Sequence, residues 1–292
     1  MRKMEIKARA KINLTLDVLR KRPDGYHDVK MVMQTVDLYD VLTLQSNQNG
    51  RITVHTNLPY LPTGDKNIAY QAAQMFFEHT TITNKGLHID ISKNIPVAAG
   101  LAGGSTDAAS VLIALNSMYE IGLSISELIK MGKQLGADVP YCIMGGTALA
   151  EGVGEVLTSL PPMPRAVVVL AKPPISVSTE QVYKQLDINK ITNRPDTEGA
   201  INAIYNGDLM GLTKRMHNVL EAVTAKEHRI INRIKNIMLG SEALSAIMSG
   251  SGPTVLGIFE HEICAQKAVT KLRKIVKEVF VVNTYQSNYG ER

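Results

Sequence analysis

The sequence has no tryptophan, four phenylalanines and two cysteines in 292 residues. Two cysteines, Cys142 and Cys264, make neither a disulfide framework nor a zinc site. Each reads as a small buried apolar residue. No apolar run approaches the roughly 18 residues needed to cross a bilayer. The start, Met1-Arg2-Lys3-Met4-Glu5-Ile6-Lys7, alternates charges where a signal peptide would be continuously apolar, so a cytoplasmic protein without a membrane partner is expected. Neither G-x-x-x-x-G-K-[ST] nor G-x-G-x-x-G occurs, which excludes the two commonest phosphate-binding motifs. Long-period repeats and low-complexity tracts are missing as well. The net charge is +5, but the positive residues are scattered and few aromatics accompany them, so no nucleic-acid partner is expected.

What is present is a soluble globular composition, 45% apolar and 20% charged, in a chain long enough for one large domain or two ordinary ones. It is organised around Pro96-Val97-Ala98-Ala99-Gly100-Leu101-Ala102-Gly103-Gly104-Ser105-Thr106-Asp107. An alternating segment (Leu87, Ile89, Ile91) leads in, and a helix-periodic run leaves (Ala108, Val111, Leu112, Leu115, Tyr119). Strand, glycine-rich turn and helix start together can cradle phosphate: backbone N–H groups turn toward an anion at the positive end of the helix dipole. Ser105 and Thr106 are expected as N-cap residues that could also offer hydroxyls to the phosphate. The competing reading is an ordinary glycine turn capping a helix.

From Glu5 to Val18 the pattern alternates without a slip, the signature of a strand or bent strand pair with one buried face. Lys11 and Asn13 share the polar face, about 7 Å apart; alone, they would be solvated decoration. Pro23-Asp24-Gly25 is turn chemistry and presents Tyr26 and His27 together just beyond. Strands are expected over 30–44 and 51–55, and a helix over 63–79 entered near Gly64–Asn67. Ser124 with Glu127 forms a capping box for a helix ending near Gly136. Asp138 follows on a turn two residues ahead of Pro140, placed to act as a base or merely to cap.

Leu160-Pro161-Pro162-Met163-Pro164 is the most linker-like stretch, so domains are expected over 1–163 and 164–292. Beyond it come a short strand over 166–171, a helix through Val182 and Tyr183, and a mostly helical stretch over 198–239. Strands over 243–248 and 255–259 are joined by a second small-residue loop, Ser249-Gly250-Ser251-Gly252-Pro253-Thr254. A helix from Ala265 to Val279 and a strand over 280–285 follow. The order suggests an α+β sandwich.

Three segments, Lys11-Ile12-Asn13-Leu14, Pro96–Thr106 and Ser249–Thr254, make the chain resemble the GHMP kinases. Ala10–Leu14, Asp24-Gly25-Tyr26-His27, Gly136-Ala137-Asp138-Val139-Pro140 and Ala150-Glu151-Gly152-Val153-Gly154-Glu155 narrow the likeness to one branch. That branch transfers phosphate from ATP to the 2-hydroxyl of 4-diphosphocytidyl-2-C-methyl-D-erythritol, in the non-mevalonate route to isoprenoid precursors. The resemblance implies an α+β fold in which a ribosomal-protein-like α/β N-terminal domain joins a ferredoxin-like C-terminal domain, with the active site in a cleft between them. It further implies ATP and Mg2+ as cofactors and a monomer or weak homodimer.

By the same resemblance, Lys11 and Asp138 are catalytic. Pro96, Val97, Ala98, Ala99, Gly100, Leu101, Ala102, Gly103, Gly104, Ser105 and Thr106 hold ATP. Asn13, Tyr26, His27 and Tyr183 hold the acceptor, with the two tyrosines flanking the cytosine and His27 on its polar edge. Ala102 and Thr106 stand where other members often carry glycine or serine. Asp107 is expected to point away from the phosphates and complement the helix dipole. Asn218 is placed either in the cleft or on a helix surface, and no carboxylate stands out as a magnesium ligand. The alternatives are another small-molecule kinase of the superfamily, such as homoserine kinase, or an inactive binding protein of the same fold. The Tyr26–His27 pair separates the first, and retention of Lys11 with Asp138 argues against the second.

Overall fold

In the computed structural model, residues 2–82 and 86–286 are described. The chain forms two compact units. The first comprises residues 1–10, 38–97 and 102–144, and the second residues 11–37, 98–101 and 145–292. This division does not fall at the proline-rich stretch near residue 163. Two long strands, β1 (Lys3–Lys21) and β2 (His27–Ser46), contribute their halves to different units.

In the first unit β2 pairs antiparallel with β4 (Leu87–Ser92), Val41 opposite Ser92 and Ser46 opposite Leu87. Strand β3 (Ile52–Thr56) lies parallel on the other side of β4. Four helices complete the unit: α1 (Ile68–His79), α2 (Gly103–Tyr119), α3 (Ile125–Leu135) and α4 (Val139–Met144). Their apolar stripes meet the alternating residues of the strands in one core, with Leu42, Leu44, Ile89, Phe76, Val111, Leu115 and Met131 all buried. Burying such a face, about 25 cal/mol per Å² of apolar surface, is what holds helices this short in place. Local signals set the boundaries. Asn67 caps α1 by accepting from Ala69 N, and Ser124 with Glu127 forms the expected capping box on α3.

In the second unit β2 pairs with β5 (Thr147–Gly152), which pairs with β6 (Val156–Ser159). The two-residue strand β8 (His217–Asn218) adds parallel to β1, Thr15 opposite His217. A second, four-stranded sheet is antiparallel throughout. Its order is β11 (Glu278–Asn283), β7 (Val167–Lys172), β10 (Val255–Phe259), β9 (Ser245–Met248). Helices α9 (Ile230–Leu239) and α10 (Glu262–Leu272) pack on it, in keeping with the ferredoxin-like expectation. The stretch over 198–239 is mostly helical as expected, broken at 206–208, at 214–220 where β8 lies, and at 228–229, while α10 ends at Leu272, so that Val276 and Val279 lie beyond it. Among the described residues, no helix is long and apolar enough to cross a membrane.

The polar face of β1 departs from the usual amphipathic strand. Lys11, Asn13, Thr15 and Asp17 are all buried. Within the second unit Asp17 receives Arg194 Nη1 at 2.6 Å, and Thr15 Oγ1 accepts Val32 N at 3.0 Å. Strand periodicity marked which residues share a face; what covers that face comes from residues nearly 180 positions away.

Candidate active site

The glycine-rich loop owes its shape to three residues in left-handed backbone, Ala98 (φ 51°), Gly100 (φ 73°) and Ala102 (φ 58°). Alternation of this kind turns successive N–H groups to one side, forming a concave anion site. Helix α2 starts directly after it. Its N-cap is Ala102, with no side-chain cap, so the expected capping by Ser105 or Thr106 does not occur. A residue at φ 58° takes the cap position three residues before the hydroxyls begin. The first-turn N–H groups, which no side chain caps, are what an anion would meet. Gly104 is exposed and Ser105 half-buried, whereas Thr106 is buried. Thr106 spends its donors internally, its hydroxyl on Arg9 O (2.7 Å) and its N–H on Ala102 O (2.8 Å).

Gly100 is required for two reasons. Its φ favours glycine, and a Cβ there would stand 2.3 Å from the carbonyl oxygen of Ser249. The second small-residue loop therefore lies against the first within the second unit. Ser249 Oγ donates to Gly100 O at 3.0 Å, and Lys11 N donates to Leu101 O at 3.2 Å. Lys11 and Asn13 adjoin the same place: Lys11 Nζ donates to Asn13 Oδ1 at 2.9 Å, and Asn13 Nδ2 lies 3.2 Å from Met31 Sδ. A Cβ on Gly250 would be 3.6 Å from Asn13 Oδ1 and 3.5 Å from Gly100 O.

Asn218 is neither on a helix surface nor lining a cleft. It is 1% exposed, on β8. Its Nδ2 donates to Met248 O and Gly250 O, both at 2.7 Å, and its Oδ1 accepts Leu220 N at 3.0 Å. Thr224 Oγ1 donates to Ser251 O at 3.1 Å, and Thr179 Oγ1 meets Ser251 Oγ at 2.8 Å. The second loop, with its cis Gly252–Pro253 bond, is thus held by neutral hydrogen bonds from residues remote in sequence, and at its entry Met248 N donates to the Glu221 carboxylate at 2.8 Å.

Also in the second unit, the Arg22–Tyr26 turn places an aromatic pair. Arg22 N donates to Tyr26 O at 2.8 Å, and Tyr26 N to Asp24 Oδ1 at 3.0 Å. His27 stacks on Tyr183, with ring centroids 5.1 Å apart and planes tilted by 34°. Tyr183 lies on α5 (Thr179–Gln185), and the structure gathers it with His27. Tyr26 is 65% exposed. Burial, and secondarily the charge of Lys21, hold the His27 imidazole below its ordinary value of 6.5, so at neutral pH it is uncharged.

Asp138 belongs to the first unit, half-buried, immediately before α4, where its carbonyl accepts Cys142 N at 3.0 Å. Asp107 does not complement the helix dipole. It turns inward and accepts Lys93 Nζ at 2.6 Å. No sequence pattern marks Lys93, although it sits three residues before Pro96.

Comparison with known proteins gives the family and the fold. The GHMP kinases N terminal domain family matches residues 67–146, and the GHMP kinases C terminal family residues 200–278. The chain is 48% identical over 98% of both chains to the 4-diphosphocytidyl-2-C-methyl-D-erythritol kinase of Alkaliphilus metalliredigens. It is 47% identical, again over 98% of both, to the enzyme so named from Caldicellulosiruptor saccharolyticus. A crystal structure of a 4-(cytidine 5'-diphospho)-2C-methyl-D-erythritol kinase superposes with a TM-score of 0.83 at 31% identity, covering 97% of this chain and 100% of that one. The homoserine kinase of Cytophaga hutchinsonii shares the fold, with a TM-score of 0.74 at 18% identity over 98% of this chain and 95% of its own. The chain belongs to the GHMP kinase superfamily, in the family of 4-diphosphocytidyl-2-C-methyl-D-erythritol kinases.

Proposed function

We propose that this chain transfers the γ-phosphoryl group of ATP to the 2-hydroxyl of 4-diphosphocytidyl-2-C-methyl-D-erythritol, a phosphotransfer to an alcohol acceptor. The supporting observation is the loop of alternating left-handed residues ahead of a helix without a side-chain cap, tied by its Leu101 carbonyl to the backbone of Lys11. The acceptor is supported by the full-length relatives. Phosphoryl transfer of this kind depends on positioning and on neutralising the charge of the transferred oxygens.

In this reading the N–H groups from Ala98 to Ser105 and the start of α2 receive the ATP phosphates. The open face of the loop, where Gly104 carries no side chain, fits such a guest. Asp138 accepts or orients the proton of the attacking hydroxyl as its oxygen bonds to the γ-phosphorus and the bond to the β–γ bridging oxygen breaks, releasing ADP. Lys11, fixed by Asn13, bears on the acceptor hydroxyl and the transferred group. Asn13 hydrogen-bonds the methylerythritol end. Tyr26 and Tyr183 flank the cytosine, and neutral His27 meets its polar edge. Magnesium supplies charge neutralisation on the phosphates when bound. Among the described residues no three His, Cys, Asp or Glu side chains gather as a metal site.

Asp138→Ala tests the assignment. The expected result is loss of turnover by at least about a thousandfold with ATP binding retained, measured by ADP release and by calorimetry. A variant that keeps near-normal kcat would remove Asp138 from the chemistry and leave positioning alone to carry it.

A further inference from the structure

A buried ionic cluster lies beside the phosphate loop, wholly within the first unit. Asp40, on β2 and completely buried, accepts two backbone N–H groups at Oδ1, from Asn94 at 2.6 Å and Ile95 at 2.8 Å. Its Oδ2 accepts the Lys93 ammonium. Lys93, whose side chain is 5% exposed, also donates to Asp107 Oδ2 at 2.6 Å. The other Asp107 oxygen, Oδ1, is buried and has no hydrogen-bond partner among the described residues. A Cβ at Gly103 would stand 3.5 Å from Lys93 Nζ, so the ammonium lies under the first turn of α2.

The geometry links both flanks of the loop. Asn94 and Ile95 lead into it and Asp107 follows it on the helix, and all three are tied to one Lys93–Asp40 pair. Stability alone is a poor reason for such a cluster, since burying charges costs more than packing apolar groups of the same size. Two carboxylates share one ammonium, which leaves a surplus negative charge. Burial, together with the neighbouring Asp40, pushes the Asp107 carboxyl up to about 8 against the pull of Lys93. A proton on Asp107 would make the cluster neutral.

We propose that Lys93, held between Asp40 and Asp107, is a positioning residue for ATP that fixes the entry and exit of the phosphate loop so that its N–H groups are aimed before the nucleotide arrives. Preorganised donors keep their orientation as charge develops and need no reordering on binding. Lys93 acts through the loop backbone and does not itself take part in the chemistry. The inference rests on the reading of this loop as the ATP site.

The test uses the full chain with a magnesium-loaded, non-hydrolysable ATP analogue in calorimetry, beside steady-state kinetics. Lys93→Met should raise the analogue Kd at least about tenfold while leaving the acceptor KM within about twofold, and Lys93→Arg should restore the Kd to within about threefold of the parent. A merely structural lysine would lower Tm and the active fraction without moving the Kd of the folded fraction. An unchanged Kd in Lys93→Met, or a parallel shift in Kd and acceptor KM, would overturn the proposal. Should Lys93→Met fail to fold, Asp107→Asn keeps an oxygen for the ammonium and should weaken the analogue about threefold; no change there would overturn it equally. Gly104→Val separates the two readings. If it leaves analogue affinity intact, the nucleotide is not on this loop and the ATP-site reading fails. If it abolishes binding while Lys93→Met does not weaken it, only the role of Lys93 fails.

Discussion

Two glycine-rich loops of similar composition meet at Gly100 and Ser249, and they are built in opposite ways. The loop around Gly100 is partly exposed, with Ala98 and Gly104 open, and its helix lacks a side-chain cap. Its flanks are held by the buried, hydrogen-bonded side chains of Asp40, Lys93 and Asp107. The loop over 249–254 is buried throughout, and its carbonyls are taken up by Asn218 and Thr224. Glycine content alone does not make a phosphate site. Both loops carry alternating left-handed residues, Ala98, Gly100 and Ala102 in the first and Gly250 and Gly252 in the second, so what separates them is exposure: the first is partly open to a guest, and the second is buried as a wall.

The largest expected effect comes from joining the two loops' fates. Gly100→Val places a side chain at φ 73° against Ser249 O, so stability should fall by about 3–5 kcal/mol with turnover essentially abolished. Thermal melting and ADP release check it; a variant that melts normally would mean that the loops are not in contact. Asn218→Ala strips two buried carbonyls of their donor, at about 2–4 kcal/mol. It should raise the acceptor KM and the ATP KM together, because Gly250 adjoins both Asn13 and Gly100. Unchanged values of both would mean that the second loop does not support the first.

The ionic and neutral supports should also differ in pH response. Asp107 is held above its ordinary value of 3.8, up to about 8, so the folded chain binds a proton that the unfolded chain releases. That contribution is fully present below 3.8 and lost as the pH rises toward 8. Between pH 5 and pH 8 the parent Tm should fall by roughly 5–10 °C more than that of Asp107→Asn, while the penalty of Asn218→Ala should not change with pH. Identical pH slopes for the parent and Asp107→Asn would refute the ionic support. The smallest effect is Ala102→Gly. Relief of left-handed strain, about 1 kcal/mol, is offset by a looser unfolded chain, so Tm should move by less than about 2 °C. A large loss of ATP affinity would mean that the alanine methyl itself is used.

The fold was legible where the signal is local. The Ser124–Glu127 capping box, the alternation of β1 and the strand–turn–helix around Gly100 are written in neighbouring residues. The pairing of His27 with Tyr183 joins positions 156 residues apart by number and was reachable only by resemblance. The Asp40–Lys93–Asp107 cluster was not legible, because its members lie 53 and 14 positions apart and follow no common period. The capping expectation for Ser105 and Thr106 failed because Ala102 adopts a left-handed conformation that alanine seldom takes. Asn218 was noticed, but a two-residue strand carries no periodicity to place it.

Acceptor choice tests the central claim most directly. Purified chain with magnesium ATP should release ADP with 4-diphosphocytidyl-2-C-methyl-D-erythritol and stay at background with homoserine or mevalonate. Turnover with either of those, and none with the cytidine-linked substrate, would contradict the account.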